Sequence, residues 1–435
     1  MSVPILKYGK DDMSRVFGRT QLDNGEYISA VNAIIDDVRK RGDEALFEYA
    51  QKFDKQTINS DNILVSEDEI KEAYAQVDKS LIESIRKAKA SILDYHSRQR
   101  DKFANEFFPS GVNKKSTLGW IYRPLARVGL YVPGGKASYP STVLMTALPA
   151  IAAGVGEVIV TTPNIKNPAI LVACKECGID KIYKVGGAQA IAAMAYGTAS
   201  LPRVDLIAGP GNVFVTLAKK QVFGHVAIDM IAGPSEILVI ADESADPRLL
   251  ASDLLSQAEH DEQAASILVT TSQKIAEEVR AELDRQTELL ARKDIINKSL
   301  STNGAIILAK DIDEAIKIAD EVAPEHLEVC TKDAHDVAMR LANAGAIFVG
   351  NFSPEPLGDY FAGPSHVLPT SGSARYSSVL SVDTFMKKIS YINYAKEDLL
   401  SSADDIIAIA ESEGFGAHAN TIKIRKAEFG DKETK

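Results

Sequence analysis

Cysteine and positive charge are scarce in this chain, and each shortage narrows what it can be. Three cysteines in 435 residues cannot build a disulfide framework, so a stapled secreted fold is excluded and a cytoplasmic location is expected. Cys174 and Cys177 form a CxxC, but they fall in the helical stretch 168–177 with no second pair to complete a zinc knot; they read as a coincidence of helix composition. Lysine and arginine number 49 against 60 acidic residues, a net charge of −11, which argues against nucleic acid or a membrane surface as partner. No unbroken apolar run is long enough to span a membrane. The nearest, residues 143–162, is interrupted by Pro149, Gly154, Gly156 and Glu157 and predicts a core helix followed by a buried strand. The opening MSVPILKYGKDD has no apolar run of the length a signal peptide needs, so no signal peptide is expected.

What is present is a large globular composition, 45% hydrophobic and 25% charged, enough for two or more domains and a small-molecule partner. Residues 25–106 read as almost wholly helical scaffold, with Ser66 and Glu69 as a capping box opening a long helix. From Arg127 onward, β-branched runs end in glycine-rich turns and lead into helices: VGLYVPGG, GEVIVTTP, KIYKVGG and VDLIAGPG. This is the pattern of βα units and a parallel sheet. DLIAGP at 205–210 returns as DMIAGP at 229–234. A second series follows, with strands at ASILVTT, GAIILAK, LEVCT and GAIFVG between helical stretches at 272–298, 311–322 and 333–343. Beyond Val382 the sheet pattern stops, and a short helical tail is expected.

Chemistry in such folds is sought in the turns after the strands, here 132–135, 185–189 and 208–212, where helix N-termini suit a pyrophosphate. None carries a full GxGxxG, since GPGNVF puts Phe214 at the third glycine, and each turn alone is also explained by tight-turn geometry. Gln257 and His260 lie three apart on a predicted helix, which reads either as surface polarity or as half of a metal site. Glu325 and His326, adjacent at a strand start, suit acid/base work or an exposed loop edge equally. The breaker-rich loop GNFSPEPLGDYFAGPSHVLPT keeps Asp359, Tyr360 and His366, and the tail segment ESEGFGAHAN carries Glu413 and His418. His96 and His335 read as solvated, and His225 as structural.

Together YVPGGKASYPSTVLM, GGAQAIAAMAYGT, GPGNVFV, AGPSEILVIAD, LLSQAEH, APEHLE, GDYFAGPSHVLPT and the EGFGAHA tail resemble the histidinol dehydrogenase family, zinc-dependent enzymes that complete histidine biosynthesis. The resemblance runs from roughly residue 25 to 425; its small departures are Lys136 and Ser138 in the first glycine-rich turn and Phe361 and Ala362 after Asp359 and Tyr360, fillers that carry no assigned role. It implies one zinc per subunit on Gln257, His260, Asp359 and His418. It implies substrate contacts from Ser235, Gln257, His260, His326, Asp359, Glu413 and His418, with His366 as a neighbour, and NAD contacts from Tyr131, Gln189 and Asn212. Glu325 and His326 become the catalytic pair: His326 takes the alcohol proton, Glu325 activates the water that attacks the aldehyde, and His326 assists the second oxidation. Cys330, about 13 Å along the strand from His326, is expected to pack rather than act as a nucleophile.

The implied fold is two Rossmann-like α/β domains with parallel sheets. The expected organisation is an N-terminal extension at 1–24, a first α/β domain from 25–129 with 238–381 holding the metal and acid/base residues, a dinucleotide domain at 130–237, and a tail at 382–435 that packs on a partner subunit. A homodimer with composite sites acting on histidinol follows, without nucleic acid or membrane. Apart from the resemblance, a zinc hydrolase using Glu325 to activate water is the main alternative, followed by a non-catalytic nucleotide binder.

Overall fold

A computed structural model describes residues 3–18, 25–134, 139–163 and 165–430, so Gly135, Lys136 and Ser138 of the first glycine-rich turn lie outside the described residues. The chain forms two compact units, one from residues 1–98 with 125–385, the other from 99–124 with 386–435.

The larger unit holds two parallel sheets. Five strands run in the order Ile182–Tyr183, Glu157–Thr161, Arg127–Tyr131, Leu206–Ala208, Ala227–Ile228. Six run in the order Ile5–Lys7, Ala305–Leu308, Ala265–Thr270, Glu236–Ala241, His326–Cys330, Ala346–Val349. Setting aside the edge strand Ile5–Lys7, both read 3-2-1-4-5 in chain order, the doubly wound arrangement whose direction reverses beside the first strand. The strands Glu236–Ala241 and Ala265–Thr270 are buried along their whole length, as sheets covered on both faces require.

The run from Val143 to Thr162 folds as read: a buried helix, Pro140–Ala153, stopped by Gly154 in the left-handed region at φ 86°, then the strand Glu157–Thr161. No helix among the described residues is long and apolar enough to cross a membrane.

The N-terminal block departs from expectation. Ser66 and Glu69 do form a capping box, but it opens the ten-residue helix Glu67–Gln76; the long helix is the next one, Lys79–Arg100. His96 continues the buried stripe Ile82, Ile85, Ala88, Ile92 on that helix and is fully buried, not solvated. Helix Gly25–Arg41 packs Val31, Ile34, Ile35 and Val38 against Tyr131, Ile159, Ile191 and Val215 of the five-stranded sheet and its helices. This helix therefore packs with residues 130–237.

The smaller unit corrects the tail. Met386–Asn393 is a strand, antiparallel to Ser116–Pro124, which pairs in turn with Glu106–Ser110. Helices Lys396–Ser401, Ala403–Ser412 and Gly416–Phe429 follow. The buried Asp398 carboxylate accepts hydrogen bonds from the backbone N–H groups of Asn113, Lys115 and Ser116 and from the Ser116 hydroxyl, tying the turn before the central strand to the tail.

Candidate active site

Glu325 and His326 stand at the amino ends of the six-stranded sheet. His326 is the first residue of its strand, in register with Ile237, and Glu325 precedes it. Both are buried. The Glu325 carboxylate accepts from the Glu236 N–H at 2.8 Å, and His326 Nδ1 lies 3.2 Å from the Glu236 carbonyl and 3.6 Å from Glu325 Oε2. One residue of the neighbouring strand thus fixes both side chains through its N–H and its carbonyl. Ser235 lies just before Glu236, with its carbonyl bonded to Ala265 N–H.

Helix Pro247–Ala258 runs back along this sheet, so its C-terminal end brings Gln257 and His260 to the same amino ends. Gln257 is fully buried, and neither atom of its amide has a hydrogen-bond partner among the described residues. The loop after Ala346–Val349 contributes the short helix Glu355–Tyr360, which carries Asp359. Gly358 lets that helix lie flat on Phe348, since a Cβ there would stand 2.6 Å from the ring. The ligating atoms of His260, Glu355 and Asp359 lie within 4.8 Å of one another. Asp359 is also 3.7 Å from His326 Nε2 and 3.8 Å from His366 Nδ1, charge contacts rather than full hydrogen bonds. His366 is held from its other side by Thr142 Oγ1 at 3.4 Å.

These neighbours shift each other's protonation. Burial pushes Glu325 up to about 8 against the pull of His326. Burial works to lower His326, but the Glu325 and Asp359 carboxylates outweigh it and raise the ring to about 10. Burial, joined by the charge of Asp359, lifts Glu355 to about 8. Asp359 itself resists burial: the imidazoles of His326, His366 and His260 hold it well below the ordinary carboxylate range. Burial lowers His260 and His366, with Asp359 opposing. A cavity of about 430 Å³ opens beside His260, lined by Tyr139, Tyr360, Arg292 and the apolar face of helix Lys79–Arg100.

The second group of residues gathers at the carboxyl ends of the five-stranded sheet. Tyr131 ends its strand, and its hydroxyl accepts from Gly187 N–H at 3.1 Å. Gln189 and Gly186 donate to Asp54, and Asn212 caps helix Val213–Val222 by accepting from Phe214 and Val215. Asp54 comes from the block read as scaffold.

Histidinol dehydrogenases are matched by this chain at every level compared. The sequence model of the family described as histidinol dehydrogenase matches residues 18–426. The chain belongs to the histidinol dehydrogenase family. Histidinol dehydrogenase of Clostridium acetobutylicum is 53% identical over 431 residues, 97% of this chain and 99% of that protein. That of Heliobacterium mobile is 50% identical over 430 residues, with the same coverage. The crystal structure of histidinol dehydrogenase from Elizabethkingia anophelis superposes with a TM-score of 0.91 at 36% identity, covering 99% of both chains. A dehydrogenase family matched over nearly the whole length weighs against the metal-hydrolase alternative.

Of the residues implied by family resemblance, Gln257, His260, Glu325, His326, Asp359 and His366 lie on segments that meet at one end of one sheet, with Ser235 beside them. Tyr131, Gln189 and Asn212 lie at the carboxyl ends of the other. Glu413 and His418 belong to the smaller unit and are exposed there. Glu355 escaped the sequence analysis, although it sits four residues before Asp359 in a loop already singled out, a spacing that shares a helix face. Cys330 is buried, and burial lifts its thiol to about 12, so it is a poor nucleophile at neutral pH.

Proposed function

We propose that this chain oxidises L-histidinol to L-histidine through histidinal in two NAD-dependent steps, with zinc held by Gln257, His260 and Asp359 and by His418 of a second copy. The observation that carries this reading is the convergence of His260, Glu355 and Asp359 next to the Glu325–His326 pair. The unpartnered buried amide of Gln257, three residues before His260, supports it, because a buried polar group needs a partner. Oxygen and nitrogen donors without thiolate suit zinc. When bound, zinc orients the substrate and NAD accepts the hydride of each oxidation.

The remaining work falls to the chain's own groups. In the first step His326 takes the hydroxyl proton as the carbinol carbon loses hydride, leaving the aldehyde. Water then adds to the aldehyde carbon as Glu325 takes its proton and the protonated His326 returns its own to the carbonyl oxygen, which gives the diol and frees the ring for the second oxidation. A second hydride leaves that carbon while His326 takes a hydroxyl proton, and the acid formed ionises. A Glu325 carboxyl near 8 is a competent base close to neutrality. With Asp359 committed as a ligand, His326 would lose one of the two carboxylates that raise it, which moves the ring toward releasing its own proton and accepting the substrate's. Ser235, His366, Glu413 and His418 would hold the substrate, and Tyr131, Gln189 and Asn212 the dinucleotide.

Homodimerisation is supported by the smaller unit, which exposes Ile409, Phe415, Ile424 and Phe429 in the stretch that carries Glu413 and His418. A cytoplasmic setting is supported by three buried free thiols. The test supplies histidinol, NAD and zinc and follows both products. Two reduced cofactors per histidine are expected, whereas a hydrolase or a binding protein yields none.

A further inference from the structure

The repeated DLIAGP and DMIAGP segments have no part in the chemistry above, yet their acids do specific work. In the first copy Asp205 accepts from the N–H groups of Ala126 and Arg127 and pins the start of strand Arg127–Tyr131. In the second, Asp229 accepts from Gly209 N–H at 2.8 Å and forms an ion pair with Lys219, whose ammonium donates to the Gly209 carbonyl at 2.9 Å. The two side chains are only 3% and 1% exposed. A buried ion pair therefore grips one glycine from both its N–H and its C=O.

That glycine is where the turn before Asn212 meets the strand that ends in Tyr131. Gly209 has φ 115°, and a Cβ on it would stand 2.2 Å from the Tyr131 carbonyl oxygen, so no larger residue fits. Asn212 follows three residues later and spends its side-chain oxygen on Phe214 and Val215 N–H, which fixes the start of the helix. The distance between Tyr131 and Asn212 is thus set through Gly209.

We infer that Lys219 and Asp229 are positioning residues for the dinucleotide, clamping the Gly209 turn so that Tyr131 and Asn212 are preset before NAD arrives. This inference rests on the proposed NAD dependence. A preformed site avoids ordering the loop on binding, so losing the clamp weakens NAD without altering the groups that handle the substrate.

The test is the double variant Lys219→Met with Asp229→Asn, which removes both charges together so that neither is left stranded. Calorimetric titration with NAD should show binding weakened by about tenfold, and KM for NAD should rise in parallel. KM for histidinol should stay unchanged, and kcat at saturating NAD should stay within about threefold of the parent. Hydrogen exchange on the unaltered protein supplies a second measurement that needs no variant: the Gly209 amide should be protected with NAD absent. The inference is overturned if the folded variant binds NAD within about twofold of the parent, if both KM values rise together, or if Gly209 exchanges freely until NAD is added. A parent that neither binds NAD nor oxidises histidinol would instead overturn the proposed function, so the two failures are distinct.

Discussion

The two parallel sheets share a strand order and use opposite ends. At the five-stranded sheet the residues of interest sit past the carboxyl ends, where helices Gly187–Tyr196 and Val213–Val222 begin. At the six-stranded sheet they sit at the amino ends, where helix Pro247–Ala258 finishes. A helix start presents N–H groups and a partial positive charge, and a helix finish presents carbonyls and a partial negative one. The first end favours a pyrophosphate, the second a metal ion, an imidazolium or the ammonium of an amino alcohol. One topology thus offers an anion site and a cation site according to which end is furnished. The rule that ligands gather past the carboxyl ends points to the residues at the first sheet and away from those at the second.

The comparison breaks most severely at the amino ends. His326→Ala should lower kcat by about a thousandfold with metal content retained, as measured by turnover alongside metal analysis. Mixed with a His418→Ala protein and allowed to exchange subunits, it should recover activity, up to about a quarter of the parent's if each heterodimer keeps one intact site. No recovery from proven heterodimers would refute the shared site. Asp359→Asn should empty the metal site and cost about a hundredfold in activity at limiting zinc.

Stability should separate the two ends by pH. The native state of the metal-free protein prefers Glu325 protonated, so that preference is fully present below the ordinary carboxyl range and is lost as pH rises through about 8. Glu325→Gln carries no such charge. Relative to the parent, the metal-free variant should gain stability from pH 5 to 9 by a few kcal/mol, read from denaturant midpoints at each pH. A gap that stays flat with pH would show that the carboxyl is not buried in its ionised form. The smallest effect belongs at the carboxyl ends, where Tyr131→Phe should raise KM for NAD about fivefold and leave histidinol untouched.

Much of this was legible in the residues. The βα series, the buried helix and strand of 143–162 and the polar loop around Asp359 follow from periodicity and turn composition. What escaped did so for physical reasons. Met386–Asn393 is mostly exposed, so MKKISYIN lacks the alternation that marks a half-buried strand. His96 reads as part of a polar helix face beside Asp94, Arg98 and Arg100, although the spacing Ile85, Ala88, Ile92, His96 marks it as part of the inward stripe. Asp54 was set aside with a helical block, because nothing local announces that it will cap a turn some 130 residues downstream. No spacing rule predicts which end of a sheet is furnished with titratable groups, since that depends on where helices return.

The Asp398 tie has a consequence for synthesis. Its partner Ser116 lies 282 residues earlier, and Ser116–Pro124 gains its second hydrogen-bonded neighbour only from Met386–Asn393. During translation the hairpin 106–124 must wait with one flank unpaired until nearly the whole chain has left the ribosome, while residues 125–385 can already fold. A chain released early, before residue 386, would keep both parallel sheets and display an open strand edge, the form most prone to aggregate.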